Sequence, residues 1–118
     1  MNEIMADSLF TKIINRQISA DIVYEDDDVL AFNDISPQAP VHILIVPKKQ
    51  VETINDFQDD DAELIGKIVL AAKRIAKEKG LSDNGYRLIF NTNADAGQTV
   101  FHVHCHLIGG RILNWPPG

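Results

Sequence analysis

The most informative segment of the chain reads Phe101-His102-Val103-His104-Cys105-His106-Leu107-Ile108. It contains three of the four histidines of the protein, on alternate residues and with apolar residues between them. Strict alternation of this kind predicts a half-buried β-strand. Because successive side chains of a strand point to opposite faces, we expect the three imidazoles to share one face, with neighbouring rings roughly 6.5–7 Å apart.

A row of three groups that titrate near neutral pH allows three interpretations. The first is a set of polar residues on a solvated strand face. The second is a zinc site, in which two of the three histidines would bind one ion together with His42. The third is a catalytic row, in which one neutral imidazole is a nucleophile and its neighbours supply hydrogen bonds and protons. Zinc is the weaker of the two functional readings, because the segment has no nearby carboxylate to orient metal-bound imidazoles.

Size and composition limit the possible functions. The 118 residues fit one domain, 1–118, with a tail over about 112–118. A net charge of −6 argues against a nucleic-acid surface, and the absence of a run of ~20 apolar residues argues against a membrane span. The single cysteine, Cys105, excludes a disulfide within the chain. Together with a start that lacks a secretory signal, it predicts a cytoplasmic protein.

Apolar periodicity predicts two helices, 8–17 and 58–79, and five strands, 22–25, 29–34, 41–47, 86–91 and 101–108. The order of these elements predicts an α+β domain. Its sheet should be mainly antiparallel, because the short links between the early strands fit hairpins. His42 is the one polar residue inside the apolar strand 41–47, where it either is a hydrogen-bonded core residue or faces the histidine row. Phe10 and Ile13 of the first helix are either core residues or the wall of a ligand slot.

At these residues the chain resembles the histidine triad (HIT) family. The segment 102–108 has the family pattern His-φ-His-φ-His-φ-φ, where φ is apolar. Further segments that resemble the family are Asp34-Ile35-Ser36-Pro37-Gln38-Ala39-Pro40 with His42, Val46-Pro47-Lys48, Gly97-Gln98 and Gly109-Gly110-Arg111. The tail Trp115-Pro116-Pro117-Gly118 resembles the nucleotide-binding Hint branch. The resemblance extends from about Phe10 to Gly118.

The resemblance implies a HIT-like fold, a five-stranded antiparallel sheet with one short and one long helix, which continues across a homodimer. It also implies hydrolysis of purine nucleoside phosphoramidates and aminoacyl-adenylates through a nucleotidyl-histidine intermediate, with no metal or other cofactor. His106 stands where the nucleotidyl-transferase branch has Gln, which favours hydrolysis over transfer. Thr99 stands where the Hint branch often has Ser, so that the hydroxyl is retained.

The same resemblance implies a role for each site residue. His104 aligns with the nucleophile, His106 with a phosphate-contacting histidine, and His102 and His42 with histidines that support the nucleophile. Asp34 aligns with the acceptor for the ribose hydroxyls. The residues that align with an apolar slot around the base are Phe10, Ile13, Ile18, Phe32 and Ile35. Those that align with the phosphate and leaving-group side are Asn91, Gly97, Gln98 and Thr99, and Trp115 of the tail joins the substrate-binding set.

Two alternatives remain open on the sequence. Within the family, the dinucleoside polyphosphate hydrolases share the triad, although their tails resemble this chain less. Outside enzymology, the chain could be a regulatory protein that acts through partners and binds a nucleotide, or binds zinc through His42, His102 and His104.

Overall fold

The five strands form one antiparallel sheet in the order β1-β2-β3-β5-β4. The computed structural model describes residues 6–118. Its strands are β1 (Ile22–Glu25), β2 (Val29–Asn33), β3 (Val41–Pro47), β4 (Tyr86–Phe90) and β5 (Cys105–Gly109), and its α-helices are α1 (Leu9–Ile14) and α2 (Ala62–Glu78). Three short 3-10 helices lie at Ile54–Asp56, Asp59–Asp61 and Ala94–Ala96. The predicted α+β class and antiparallel sheet are confirmed.

The two faces of the sheet are covered by different helices. On one face, β2, β3 and β5 contribute apolar side chains to a core that they share with α2: Val29, Ala31, Ile43, Ile45, Cys105, Leu107, Ile68, Ala71, Ala72, Ile75 and Ala76. On the other face, α1 packs on the intervening residues in a smaller cluster: Phe10, Ile13, Leu30, Phe32, Leu44 and Val46. Because side chains alternate along a strand, His42 and His106 point to the α1 face. These two histidines therefore lie on the side of the sheet that is covered by α1, the smaller helix.

The first helix is shorter than predicted. Ser8 caps it, since its hydroxyl oxygen accepts a hydrogen bond from the Thr11 amide at 2.9 Å. The helix ends at Ile14 because Arg16 adopts a left-handed backbone conformation with φ of 62°. The predicted end at residue 17 was therefore wrong by three residues.

The long helix also starts later than predicted. Residues 58–61 form a 3-10 turn, in which the Asp61 carboxylate accepts a hydrogen bond from the Gln58 amide at 2.9 Å. No helix in the described part of the chain, residues 6–118, is long and apolar enough to cross a membrane.

The histidine segment enters the sheet only at Cys105, so the first half of the predicted strand was wrong. The last register pair between β3 and β5 is Ile45 with Cys105. Continuing this register would place Val103 opposite Pro47, which has no amide hydrogen to donate. The Val103 amide bonds instead to the Val51 carbonyl at 2.7 Å, beyond the end of β3. Residues 101–104 are thus held by contacts outside the sheet.

Two glycines fix the end of α2 and the start of the segment after β5. Gly80, with φ of 74°, closes α2 in a Schellman motif, in which the Leu81 amide bonds to the Ala76 carbonyl at 2.9 Å. After β5, Gly110 has φ of 93°, and a Cβ there would lie 2.9 Å from the Pro40 Cβ. Only glycine fits that position, and the loop before β3 is therefore in close contact with the end of β5.

Candidate active site

Three imidazole rings form a cluster on the α1 face, which we call the histidine cluster: His42, His104 and His106. The centroids of the His104 and His106 rings are 4.9 Å apart, and those of His42 and His106 are 5.2 Å apart. Phe10 of α1 lies edge-on to the His104 ring at 5.0 Å. The separation of His104 and His106 is shorter than expected along a regular strand, because His104 precedes β5.

The His104 ring has a defined tautomer. Its Nδ1 lies 2.7 Å from the His102 carbonyl oxygen. A carbonyl oxygen can only accept, so Nδ1 carries the hydrogen and Nε2 carries a lone pair in the neutral ring. Nε2 makes no hydrogen bond to any residue from 6 to 118. His104 is therefore oriented by one nitrogen and available for reaction at the other.

Burial keeps this ring neutral near pH 7. Desolvation lowers the pKa of His104, although the bond to the His102 carbonyl and the charge of Asp34 act in the opposite direction. Desolvation, together with the neighbouring His104 and His42, also lowers the pKa of His106 to about 4, although the charge of Asp34 acts in the opposite direction. Only the unprotonated nitrogen of a neutral imidazole is a nucleophile, so the environment favours the reactive form.

His42 and His106 form a hydrogen-bonded chain that begins at the main chain. The Gln38 amide donates to His42 Nδ1 at 3.0 Å, so this nitrogen has no hydrogen and Nε2 has one. His42 Nε2 lies 2.9 Å from His106 Nδ1, to which it donates. The neutral His106 ring consequently carries its hydrogen on Nε2. It presents a donor on the side of the ring away from His42.

The loop that contains Gln38 is held by Arg111, which follows β5. The Arg111 guanidinium donates to the Gln38 carbonyl from Nε at 3.2 Å and from Nη2 at 3.0 Å. Gly110 brings the chain close to Pro40 and allows Arg111 to reach back over this loop. Arg111 therefore holds the peptide unit that follows the Gln38 amide, and it limits the movement of the residue whose amide fixes the His42 tautomer.

The His102 ring points away from the histidine cluster. It is fully buried, its Nε2 donates to the Pro47 carbonyl at 2.7 Å, and its Nδ1 lies 2.6 Å from the Ser8 hydroxyl oxygen. The resemblance implies that His102 and His42 support the nucleophile. His102 contacts His104 through its main-chain carbonyl, and His42 contacts it only indirectly, through His106.

The hydrogen positions do not suit a metal ion. The residues whose ligand atoms come together, within 4.8 Å of one another, are Asp34, His42 and His106. The zinc hypothesis instead required the His102 ring, whose two nitrogens are both engaged elsewhere. A metal at His42 Nε2 would need the hydrogen on Nδ1, where the Gln38 amide already points its own hydrogen. These three side chains are better described as a hydrogen-bonded group.

Asp34 lies next to this group. One of its carboxylate oxygens accepts from the Ser36 amide at 2.8 Å, and the other lies 3.4 Å from His42 Nε2. The carboxylate is only partly buried, so one side of it remains open for a ligand.

The structure brings together some of the predicted apolar slot. Phe10, Ile13 and Phe32 are buried in one cluster, with the rings of Phe10 and Phe32 edge to face at 5.4 Å. Ile18 and Ile35 lie outside this cluster and are exposed, Ile35 by 98%. Core packing therefore accounts for three of the five predicted residues. The other two are exposed apolar side chains.

The loop before the histidine segment is held by Gln98. This buried side chain accepts from the Asn93 amide at 2.9 Å and donates to the Glu52 carbonyl at 2.8 Å and the Val100 carbonyl at 3.1 Å. Its amide group is therefore used within the protein. Thr99 is exposed and lines a cavity of about 380 Å³, together with Ala6, Ser8, Leu9, Gln50, Glu52, Val100 and Phe101.

Other predicted binding residues lie at the surface or partly buried. Asn91, after β4, is half-buried, and Gly97 is exposed in a left-handed conformation with φ of 82°. Trp115 is 82% exposed in the tail, where the Arg87 guanidinium donates to the Asn114 carbonyl at 3.0 Å. Within a single chain, Trp115 is not part of the histidine cluster.

Several groups that hold the triad were not identified from the sequence. The Gln38 amide and the Pro47 carbonyl act through the main chain, which carries no side-chain signal. Ser8 is only the first residue of the predicted helix 8–17, and Gln50, which accepts from the Ser8 amide at 3.0 Å, lies outside every predicted element. Ser8 and His102 are 94 residues apart in the chain, so no local pattern links them.

The model of the HIT domain family matches residues 15–113. The chain belongs to the HIT family. A purine nucleoside phosphoramidase of Escherichia coli K12 is 50% identical over 107 residues, which are 91% of this chain and 90% of that protein. An uncharacterized HIT-like protein of Synechococcus elongatus is 52% identical over 112 residues, 95% of this chain and 97% of that protein.

Solved structures of HIT proteins have the same fold. A HIT family hydrolase from Legionella pneumophila is 54% identical, with a TM-score of 0.93 over 95% of this chain and all of that chain. A histidine triad protein from Clostridium difficile is 43% identical, with a TM-score of 0.89 over 96% of this chain and 99% of that one. The predicted family and the expectation of an enzyme are confirmed by these relatives.

The lowered pKa of His106 predicts a specific pH dependence. With a folded pKa of about 4 against an ordinary value of 6.5, the unfolded chain takes up this proton first as the pH falls. The free energy of unfolding should be insensitive to this group above pH 6.5 and should decrease between pH 6.5 and 4. ¹⁵N NMR of the imidazole rings should show His106 neutral down to about pH 5.

The matched variant is His106→Asn, whose amide oxygen can still accept from His42. It should reduce the decrease in the free energy of unfolding between about pH 6.5 and 5.5, and leave the part that His102 and His104 contribute through their own lowered pKa values. In this range the carboxylates of lowered pKa (Glu25, Asp26 and Asp61) do not yet titrate. A His106 ring that titrates near pH 6.5 in the folded protein would contradict the assignment.

Proposed function

We propose that this HIT protein is a nucleoside phosphoramidase, which hydrolyses purine nucleoside 5'-phosphoramidates, of the AMP–amine and AMP–lysine type, and aminoacyl-adenylates. The product is the nucleoside monophosphate, and His104 is the nucleophile. The observation that carries the proposal is the bond from His104 Nδ1 to the His102 carbonyl. The 50% identity to a purine nucleoside phosphoramidase supports the choice of substrate class.

The bond to the His102 carbonyl suits a nucleophile that becomes positively charged. When His104 Nε2 attacks phosphorus, the ring gains a positive charge that is shared with the Nδ1–H group. Hydrogen bonds from a charged donor are about twice as strong as neutral ones. The carbonyl therefore stabilises the charged ring of the transition state more than it stabilises the neutral ring of the free enzyme. Such preferential stabilisation of the transition state is the condition for catalysis.

The reaction takes place in two steps. In the first, the bond between Nε2 of His104 and phosphorus forms, and the P–N bond of the substrate breaks. The electron pair of that bond goes to the leaving amine, which takes up a proton. In the second, water attacks phosphorus, the bond to Nε2 breaks with its electron pair returned to the ring, and the nucleoside monophosphate is released with a proton.

His106 serves the phosphoryl group. Its Nε2–H is the donor that remains after His42 has bonded to Nδ1. A donor beside the nucleophile stabilises negative charge on the phosphoryl oxygens. The Thr99 hydroxyl, on the loop before the triad, bonds to the leaving nitrogen, and Asn91 and Gly97 complete the phosphate side. Gln98 acts from within the protein, where its side chain holds this loop.

The Asp34 carboxylate accepts hydrogen bonds from the ribose hydroxyls. It is partly open and lies 3.4 Å from the His42 ring, so a ribose there would place the 5'-phosphate near the histidine cluster. The base packs against apolar side chains, with Phe10, Ile13 and Phe32 forming the buried wall and Ile18 and Ile35 covered when the nucleotide binds.

The protein acts as a homodimer whose sheet continues through β4. This strand is at the edge of the sheet, and its side chains are half-buried. An uncovered edge strand is a ready site for strand pairing. Exposed Val69 and Leu70 of α2 extend the apolar surface, and the exposed Trp115 of the tail contributes to the substrate site of the partner.

The remaining features fit a cytoplasmic enzyme with a single HIT domain over 1–118. Cys105 is buried and unpaired, which suits a reducing compartment. The net charge of −6 suits a small-molecule substrate held by local groups, without nucleic-acid or membrane partners.

The proposal predicts that the His104→Ala enzyme is inactive. With a fluorogenic adenosine phosphoramidate and EDTA present, wild-type protein should turn over, and His104→Ala should lose on the order of 10³-fold or more in kcat/KM. Acid-quenched wild-type enzyme should carry the mass of one nucleotidyl group. The matched control is Cys105→Ala, because the neighbouring side chain is buried on the α2 face and should leave turnover near wild type. Loss of wild-type activity in EDTA would contradict the metal-independent mechanism.

The ribose role of Asp34 predicts a selective loss. Asp34→Ala should weaken kcat/KM for the adenosine substrate by roughly 10- to 100-fold, the range for hydrogen bonds to a charged group. It should affect the 2',3'-dideoxy analogue much less, since that substrate has no hydroxyls to bind. Effects on the loop and on His42 fall on both substrates alike, so equal losses would count against the ribose contact.

The dimer predicts a particle of twice the chain mass of 13.1 kDa in sedimentation equilibrium. Leu70→Glu should shift the equilibrium towards monomers, because it places a charge in the proposed interface. Ile54→Glu changes another exposed apolar side chain, in the short 3-10 helix Ile54–Asp56, and should not. A wild-type protein that remains monomeric at millimolar concentration would refute the dimer.

A further inference from the structure

The ring of His102 cannot meet a substrate. It is fully buried, and each of its nitrogens has a partner in the protein: the Pro47 carbonyl at 2.7 Å and the Ser8 hydroxyl at 2.6 Å. The carbonyl fixes the hydrogen on Nε2, so Nδ1 is an acceptor and the Ser8 hydroxyl donates to it. The ring therefore links the end of β3 to the start of α1 through two hydrogen bonds.

We propose that Ser8 is a positioning residue for the nucleophile. It acts by holding the His102 ring, and hence the His102 carbonyl to which His104 is bonded. The proposal rests on the function proposed above. It assigns to the cap of α1 a second role, in which one hydroxyl group both starts a helix and fixes the orientation of a reacting imidazole.

The carbonyl of His102 needs such support because it lies outside the sheet. In β5 the peptide groups are held by neighbouring strands, but that ladder begins only at Cys105. In the segment before it, the Val103 amide bonds to the Val51 carbonyl at 2.7 Å. The other fixed point is the His102 ring itself. The Val103 amide belongs to the same peptide unit as the His102 carbonyl, so the direction of this carbonyl depends on the bond to Val51 together with the two bonds made by the His102 ring.

Ser8 is itself held in place, and its hydroxyl hydrogen is directed at His102 Nδ1, at 2.6 Å, and not at the Thr11 hydroxyl oxygen, which is farther away at 3.2 Å. Its hydroxyl oxygen accepts from the Thr11 amide at 2.9 Å, and its own amide donates to the Gln50 side chain at 3.0 Å. The Thr11 hydroxyl donates to the same Gln50 oxygen at 2.6 Å, so its single hydrogen is used. At 3.4 Å from His102 Nδ1, Thr11 cannot replace Ser8 as the donor.

The same helix contacts the nucleophile directly. Phe10 lies edge-on to the His104 ring at 5.0 Å and to the His102 ring at 5.8 Å. α1 is thus joined to the histidine segment by a polar bond at Ser8 and by aromatic contacts two residues later. Removing the hydroxyl would leave a buried acceptor unsatisfied on His102, and the ring and its carbonyl would shift.

Substituting Ser8 by Gly separates the two roles. Glycine at an N-cap costs only a few tenths of a kcal/mol. Ser8→Gly should lower kcat for the adenosine phosphoramidate roughly 3- to 10-fold, the equivalent of one lost hydrogen bond, with little change in KM. Ser8→Thr retains the hydroxyl and should restore kcat to within about twofold of wild type. ¹⁵N NMR of the free Ser8→Gly protein should show the His104 ring as a mixture of tautomers, whereas in the wild type Nδ1–H predominates.

The matched control is Thr53→Gly. Thr53 also caps a short helix with its hydroxyl, at Ile54–Asp56, and its hydroxyl bonds stay within that turn. Unchanged His104 ring signals in Ser8→Gly would overturn the proposal, as would a loss of kcat no greater than in Thr53→Gly. If wild-type protein does not turn over the phosphoramidate, the proposed function fails. The ring signals of Ser8→Gly then decide by themselves whether Ser8 positions His104.

Discussion

The antiparallel pairing of β3 with β5 is the interaction on which the rest of the molecule depends. It places Leu44 opposite His106, so that His42, two residues away, reaches His106 diagonally with a nitrogen–nitrogen distance of 2.9 Å. The same register directs Ile43 and Leu107 into the core beneath α2. A slip by one residue would exchange the two faces and bury imidazoles in that core. The burial of apolar side chains on one face therefore fixes the positions of the histidines on the other face.

Burial and main-chain hydrogen bonds together prepare the histidine cluster. Desolvation lowers the pKa of His104 and His106 and keeps both rings neutral at pH 7. Two main-chain groups then determine which nitrogen carries the hydrogen: the His102 carbonyl for His104, and the Gln38 amide for His42. Neither group titrates, so the tautomers of the neutral rings do not depend on the ionisation of either group. A side chain in either position would make them sensitive to its own ionisation.

Sequence reasoning succeeded where the signal is local and periodic. The alternation in the strands and the stripe of α2 depend only on neighbouring residues, and they predicted the fold; the triad pattern identified the family. It failed where distant contacts decide the local structure. The histidine segment leaves the sheet because Pro47 has no amide hydrogen to donate. The bond between Ser8 and His102 spans 94 residues, and neither residue type signals it alone.

The close contact of Gly110 with Pro40 has a consequence beyond packing. Because no side chain lies between them, Arg111 can turn back and bond to the Gln38 carbonyl, while the Gln38 amide, in the preceding peptide unit, faces the His42 ring. His42 in turn faces His106. The absence of one methyl group at the end of a strand thus helps to hold the residue whose amide sets the hydrogen positions of two imidazoles. The conformation of the backbone therefore influences where a proton lies. The ionisable residues alone would not reveal this.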